Sequence, residues 1–101
     1  MTELDPKLTV TYLYRGMALH NLGKYDRAIA DYDTAIKMDP GLSIAYYNLA
    51  RTYARQGENE KAMADLTKAI KINSQLRVKA RTDSDFDKIR TMSVFIEAIG
   101  Q

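Results

Sequence analysis

His20 is the single histidine of the chain and there is no cysteine, so the commonest nucleophiles and soft metal ligands are nearly missing. A His-paired thiol cannot be assembled, and His20 has no companion at the spacing of a triad or a ligand set. It reads as a solvated or wall-lining histidine. Asp83, Asp85 and Asp87 alternate as the first ligands of a calcium loop do. Lys88, however, stands where that loop needs its turn glycine, and Val94 where it needs a bidentate Glu. Helix capping and the helix dipole account for these carboxylates better. The five glycines fall at helix contacts, helix stops or the terminus, so no phosphate-cradling loop is available. The chain is expected to be no enzyme and to need no cofactor or metal.

What remains is recognition chemistry. Arg51 and Arg55 stand one helical turn apart, and Asn48 about one turn earlier, so a helix brings the three together. Paired guanidinium groups hold carboxylates by bidentate hydrogen bonds, and an amide adds a donor and an acceptor. The seven tyrosines could stack on bases, but most fall where a core must be filled; Tyr14 and Tyr47 are expected to face away from it. With 15 Lys+Arg against 13 Asp+Glu, and the signs interleaved, neither nucleic acid nor an anionic membrane is the expected partner.

The elements that position these residues follow from apolar spacing. Asp5-Pro6 marks a helix start, and Leu8, Tyr12, Leu19 and Leu22 recur at helical intervals before Gly23 stops the run. A second helix is predicted from about Tyr25 to Met38, ended by Asp39-Pro40-Gly41. A third runs from about Leu42 to Gln56 with Gly57 as its stop, and a fourth from about Asn59 to Ile72. Turns this short force neighbouring helices to pack antiparallel. No basic segment leads into an apolar stretch near the start, and no run approaches the roughly 18 apolar residues of a membrane span. A cytoplasmic location is the default expectation.

The sequence also matches itself at an offset of 34 residues: Tyr12 with Tyr46, Gly23 with Gly57, Ala28 with Ala62, Ala30 with Ala64, Asp31 with Asp65. The run Ala35-Ile36-Lys37 likewise matches Ala69-Ile70-Lys71. A fixed period of this kind is the mark of stacked supersecondary units. The expected organisation is a lead-in over 1–8, repeats over 9–42 and 43–76, and a capping segment over 77–101. Phe86, Ile89, Phe95 and Ile96 should cover the last repeat helix, in two short helices broken near Met92-Ser93.

The period and its slots resemble the tetratricopeptide repeat. The first unit fills them with Tyr12, Arg15, Gly16, Leu19, Ala28, Tyr32, Ala35 and Pro40. The second fills them with Tyr46, Leu49, Ala50, Tyr53, Ala62, Leu66, Ala69 and Ser74, a bacterial-type form of the pattern. The resemblance implies an all-α fold, a right-handed α-solenoid of two helical hairpins with C-terminal capping helices. It also implies that the first helix of each hairpin lines a concave groove. The groove would then be walled by Leu13, Met17, His20 and Asn21, and by Tyr47, Asn48, Arg51 and Arg55. The implied function is protein–protein interaction, with an acidic or carboxylate-ended peptide carrying an apolar anchor as the best-fitting ligand. Self-association into a homodimer through the array ends is the alternative.

Overall fold

The computed structural model describes residues 6–100. Four helices come first: α1 (Pro6–Asn21), α2 (Tyr25–Met38), α3 (Ser43–Gln56) and α4 (Asn59–Ile72). Three short elements follow, α5 (Leu76–Thr82), a 3₁₀ helix (Ser84–Ile89) and α6 (Ser93–Ile99). The predicted α1 cap, Asp5, lies outside the described residues.

The breaks repeat as faithfully as the helices. Gly23 and Gly57 adopt φ of 80° and 83°, the left-handed conformation glycine enters without a Cβ penalty. After each glycine the next amide reaches five residues back, Lys24 to the Leu19 carbonyl at 2.8 Å and Glu58 to that of Tyr53 at 2.9 Å. This is the Schellman arrangement, and it satisfies carbonyls the helix end would otherwise orphan. At the other break, Asp39 Oδ1 accepts from the Gly41 amide at 3.2 Å and Asn73 Oδ1 from the Gln75 amide at 3.1 Å. Both are side-chain-closed turns, so Ser74 can stand in the slot of Pro40 without altering the bend.

Close approach within each hairpin rests on small residues. Ala28, Ala35, Ala50, Ala62 and Ala69 are completely buried. Gly16 faces the Tyr32 ring so closely that a Cβ there would lie 2.6 Å from Tyr32 Cε1. The core forms two clusters, one of Leu13, Ala28, Tyr32, Ala45 and Leu49, the other running from Tyr46 and Leu66 to Phe86 and Phe95. The α3 helix contributes to both, and Ala45 to Ala50 form an uninterrupted buried stretch.

The C-terminal segment departs from expectation in three ways. It forms three short elements rather than two, because Asp83 interrupts the chain between α5 and the 3₁₀ turn. Phe86, Ile89 and Phe95 are fully buried as expected, whereas Ile96 is 36% exposed, on the outer side of a seven-residue helix. α6 and α5 pack on α4, whereas the 3₁₀ helix lies against α3. Arg90 fixes this path, donating to the carbonyls of Ala80, Arg81 and Asp83 at the end of α5, while its guanidinium lies 5.7 Å from the Phe95 ring centre. A cation there complements the negative end of the helix dipole.

Candidate functional site

The 3₁₀ helix runs along α3 on the side predicted to be the groove, and its acidic residues meet the groove's basic ones. Arg51 Nε donates to Asp85 Oδ2 at 2.9 Å and lies 3.3 Å from Asp83 Oδ2. Arg55 Nε approaches Asp85 Oδ1 at 3.6 Å and donates to the Tyr25 hydroxyl at 3.4 Å. His20, on α1, places Nε2 at 3.1 Å from Asp85 Oδ2. The carboxylate can only accept, so Nε2 carries the proton; Nδ1 lies 2.8 Å from the Thr52 hydroxyl, which itself donates to the Asn48 carbonyl at 2.9 Å. One carboxylate thus gathers side chains from both repeats.

Asp83 does two jobs. Its Oδ1 caps the 3₁₀ helix by accepting from the Asp85 amide at 3.0 Å, and its Oδ2 accepts from the Tyr47 hydroxyl at 2.7 Å. Beneath it Phe86 meets Tyr47 edge-on, ring centres 5.6 Å apart, and Phe95 at 5.7 Å. Such aromatic pairs add about 0.5–1.5 kcal/mol to simple burial. Lys79 sits 5.3 Å from the Tyr47 ring centre.

Burial and charge compete across this cluster. Burial pushes the His20 imidazole below its ordinary range, and Asp85 offsets that only in part. Burial also works against the Arg51 guanidinium, but the hydrogen bond to Asp85 and the charges of Asp83 and Asp85 prevail, and its pKa is raised. The Tyr47 phenol is held well above its usual range, first by burial and then by its hydrogen bond to Asp83. Arg51 therefore stays a guanidinium and Tyr47 a phenol at neutral pH.

Asn48 is the exception. Its Oδ1 accepts from Arg51 at 3.2 Å, but Nδ2 is buried with no hydrogen-bond partner. An orphaned buried donor costs about 1–3 kcal/mol and is unusual in a finished interior.

Of the eight groove residues expected from the sequence, the structure gathers His20, Tyr47, Asn48, Arg51 and Arg55 around Asp83 and Asp85. Leu13 is instead sealed into the first core cluster, Met17 packs half-buried against it, and Asn21 is exposed at the end of α1. Tyr47 does not face away from the core: it is fully buried, because the 3₁₀ helix covers it. Thr52, Asp83, Asp85 and Phe86 are members of the site that sequence reasoning did not assign to it. The signal for them was present as charge, an Asp-x-Asp-Phe run in a chain whose α3 carries Arg51 and Arg55. Among the described residues, no three His, Asp or Glu side chains gather to hold a metal ion, and no helix is long and apolar enough to cross a membrane.

Residues 13–76 match the family model described as tetratricopeptide repeat. The chain belongs to the tetratricopeptide repeat family. That match runs from within α1 to the start of α5 and agrees with the helix pairs, the small-residue contacts and the glycine stops described above. Repeats of this family generally mediate protein–protein interaction and are typically non-catalytic. No curated protein sequence matches the chain significantly.

Proposed function

We propose that this tetratricopeptide repeat protein is a non-catalytic interaction module that takes an extended peptide or helix of a partner protein into the groove formed by α1 and α3. One observation carries the reading: His20, Arg51 and Arg55, from two different helices, converge on a single partly buried carboxylate. That arrangement recognises an acidic segment, and exclusion of water strengthens charge-assisted hydrogen bonds there relative to an open surface. A photo-crosslinking residue at Asn21, on the exposed groove rim, should capture the partner, whereas one at Lys68 on α4 should not. Capture from Lys68 alone would place the interaction surface elsewhere.

A second reading, end-to-end self-association, is favoured by the two array ends. A cleft at the first end is lined by Arg15, Leu19, Arg27, Ala30 and Asp31, and one at the other by Glu60, Met63, Val94, Glu97 and Ala98. Each joins apolar surface to charge, the first carrying two arginines and the second two glutamates. Sedimentation that rises with protein concentration, and reverts in Arg27→Glu, is the expected behaviour for this reading.

A further inference from the structure

The segment that fills the groove belongs to the chain itself, yet it has the chemistry of a ligand. Asp83 and Asp85 bind Tyr47, Arg51 and His20 through their side chains, and Phe86 sets its ring against Tyr47. The segment is a single 3₁₀ stretch of six residues, a geometry with poorer hydrogen bonds than an α-helix. It joins α5 through the extended Asp83 and reaches α6 only after a break at residues 90–92. The groove it closes is also incompletely satisfied, since Asn48 Nδ2 in the wall has no acceptor.

We propose that residues 83–89 are a built-in occupant of the groove, displaced when a partner offers its own acidic-x-acidic-aromatic segment together with an acceptor for Asn48 Nδ2. This rests on the groove reading above and names the ligand chemistry of that site. Two carboxylates one residue apart reach Arg51 and His20, and an aromatic side chain next in sequence takes the place of Phe86 beside Tyr47. The tether makes the chain's own segment a strong competitor, because a short linker holds it at an effective concentration on the order of millimolar. Apparent affinity for the partner is then reduced by the fraction of molecules with an open groove.

The probe is a fluorescent peptide of this chain's residues 82–90, Thr-Asp-Ser-Asp-Phe-Asp-Lys-Ile-Arg. Titrated by anisotropy, it should bind the full-length variant Asp83→Asn/Asp85→Asn about tenfold or more tighter than the wild type, whose groove is filled. Adding Arg51→Glu to that variant should abolish binding. In the wild type, excess unlabelled peptide should speed amide hydrogen exchange at residues 84–90 while α3 and α4 stay protected. Equal affinity for both proteins, or no binding to the variant with exchange at 84–90 unmoved, overturns the proposal. Should the variant fail to fold by circular dichroism, the exchange experiment on the wild type decides alone. If the peptide results fail while crosslinking at Asn21 still captures a partner equally in both proteins, displacement falls and the groove reading survives. If crosslinking at Asn21 is lost as well, the groove reading falls with it.

Discussion

Arg15 in α1 and Leu49 in α3 occupy the same place in the repeat, as do Asp31 in α2 and Asp65 in α4. In the first hairpin Arg15 grips Asp31 with two hydrogen bonds, at 2.7 and 2.8 Å, from the open edge of the array. In the second, the equivalent of Arg15 lies between the hairpins, where Leu49 is 3% exposed and a guanidinium would be desolvated. Asp65 is left without that partner, and burial together with Asp33 pushes its carboxyl up to about 6. The same contrast holds one position earlier: Tyr14 is 62% exposed, while its counterpart Asn48 is 1% exposed. The repeat assigns which residues must be small or large. What the remaining positions experience depends on neighbours: α3 lies against α1, α2, α4 and the 3₁₀ helix, whereas α1 packs mainly on α2.

The largest break in this comparison comes from removing what covers α3. A chain ending after Ser74 should lose most of its stability or aggregate, since Tyr47 and the apolar side of α4 would open to water and two repeats have little core to spare. Analytical ultracentrifugation and thermal melting test this, and a monomer of unchanged melting temperature contradicts it. Within the intact chain, Phe86→Ala should cost about 3–5 kcal/mol in chemical denaturation, the usual range for emptying a fully buried aromatic site. A cost under about 1 kcal/mol would mean the segment contributes little packing.

Overpacking compares the hairpins directly. Ala28→Leu and Ala62→Leu should each cost about 1–3 kcal/mol, because both alanines are completely buried between paired helices. Unchanged denaturation midpoints in both would contradict that packing. Gly16→Ala sharpens the point. The first hairpin pairs Gly16 with Tyr32, whereas the second places Ala50 and Leu66 in those slots, trading bulk from one helix to the other. The new methyl group meets the Tyr32 ring, so a net loss on the order of 1 kcal/mol should remain after the gain in helix propensity. Adding Tyr32→Leu should make Gly16→Ala favourable, visible as a coupling energy in a double-mutant cycle.

The smallest expected effect has opposite signs in the two hairpins. The folded-state pKa of Asp65 lies above its ordinary value of 3.8, so this group's stabilising contribution is full below about pH 4 and is lost as pH rises through about 6. Asp65→Asn should therefore raise stability at pH 7, by on the order of 1 kcal/mol, and flatten the gain seen on acidification. Asp31→Asn should lower stability, because it weakens the pair with Arg15. Urea midpoints at pH 4 and pH 7 measure both.

Much of the fold was legible. The offset between Gly23 and Gly57, the Asp39 and Asn73 breaks, and the alanines of α2 and α4 fixed four helices and their pairing. The site was legible in its basic half, because Asn48, Arg51 and Arg55 follow from helical spacing alone. Its acidic half was not, because Asp83 and Asp85 lie in the tail, more than 30 residues along the chain from Arg51, where the residue pattern of the repeat no longer continues. Local capping explains them equally well, and Asp83 does cap the 3₁₀ helix.

By itself the sequence determined what depends on local rules and nearest-neighbour stacking: the helices, their stops, the close contacts and the membership of the repeat family. Only the tertiary structure decided which repeat positions are open, where Asp83, Asp85 and Phe86 dock, and that Tyr47 is covered while Tyr14 is not. The reason is physical. Helix formation and hairpin packing are set by residues three, four or 34 positions apart, and these leave a regular trace in the sequence. A carboxylate pairing with a guanidinium between the 3₁₀ helix and α3 is held by distance and desolvation alone, and those exist only once the chain has folded.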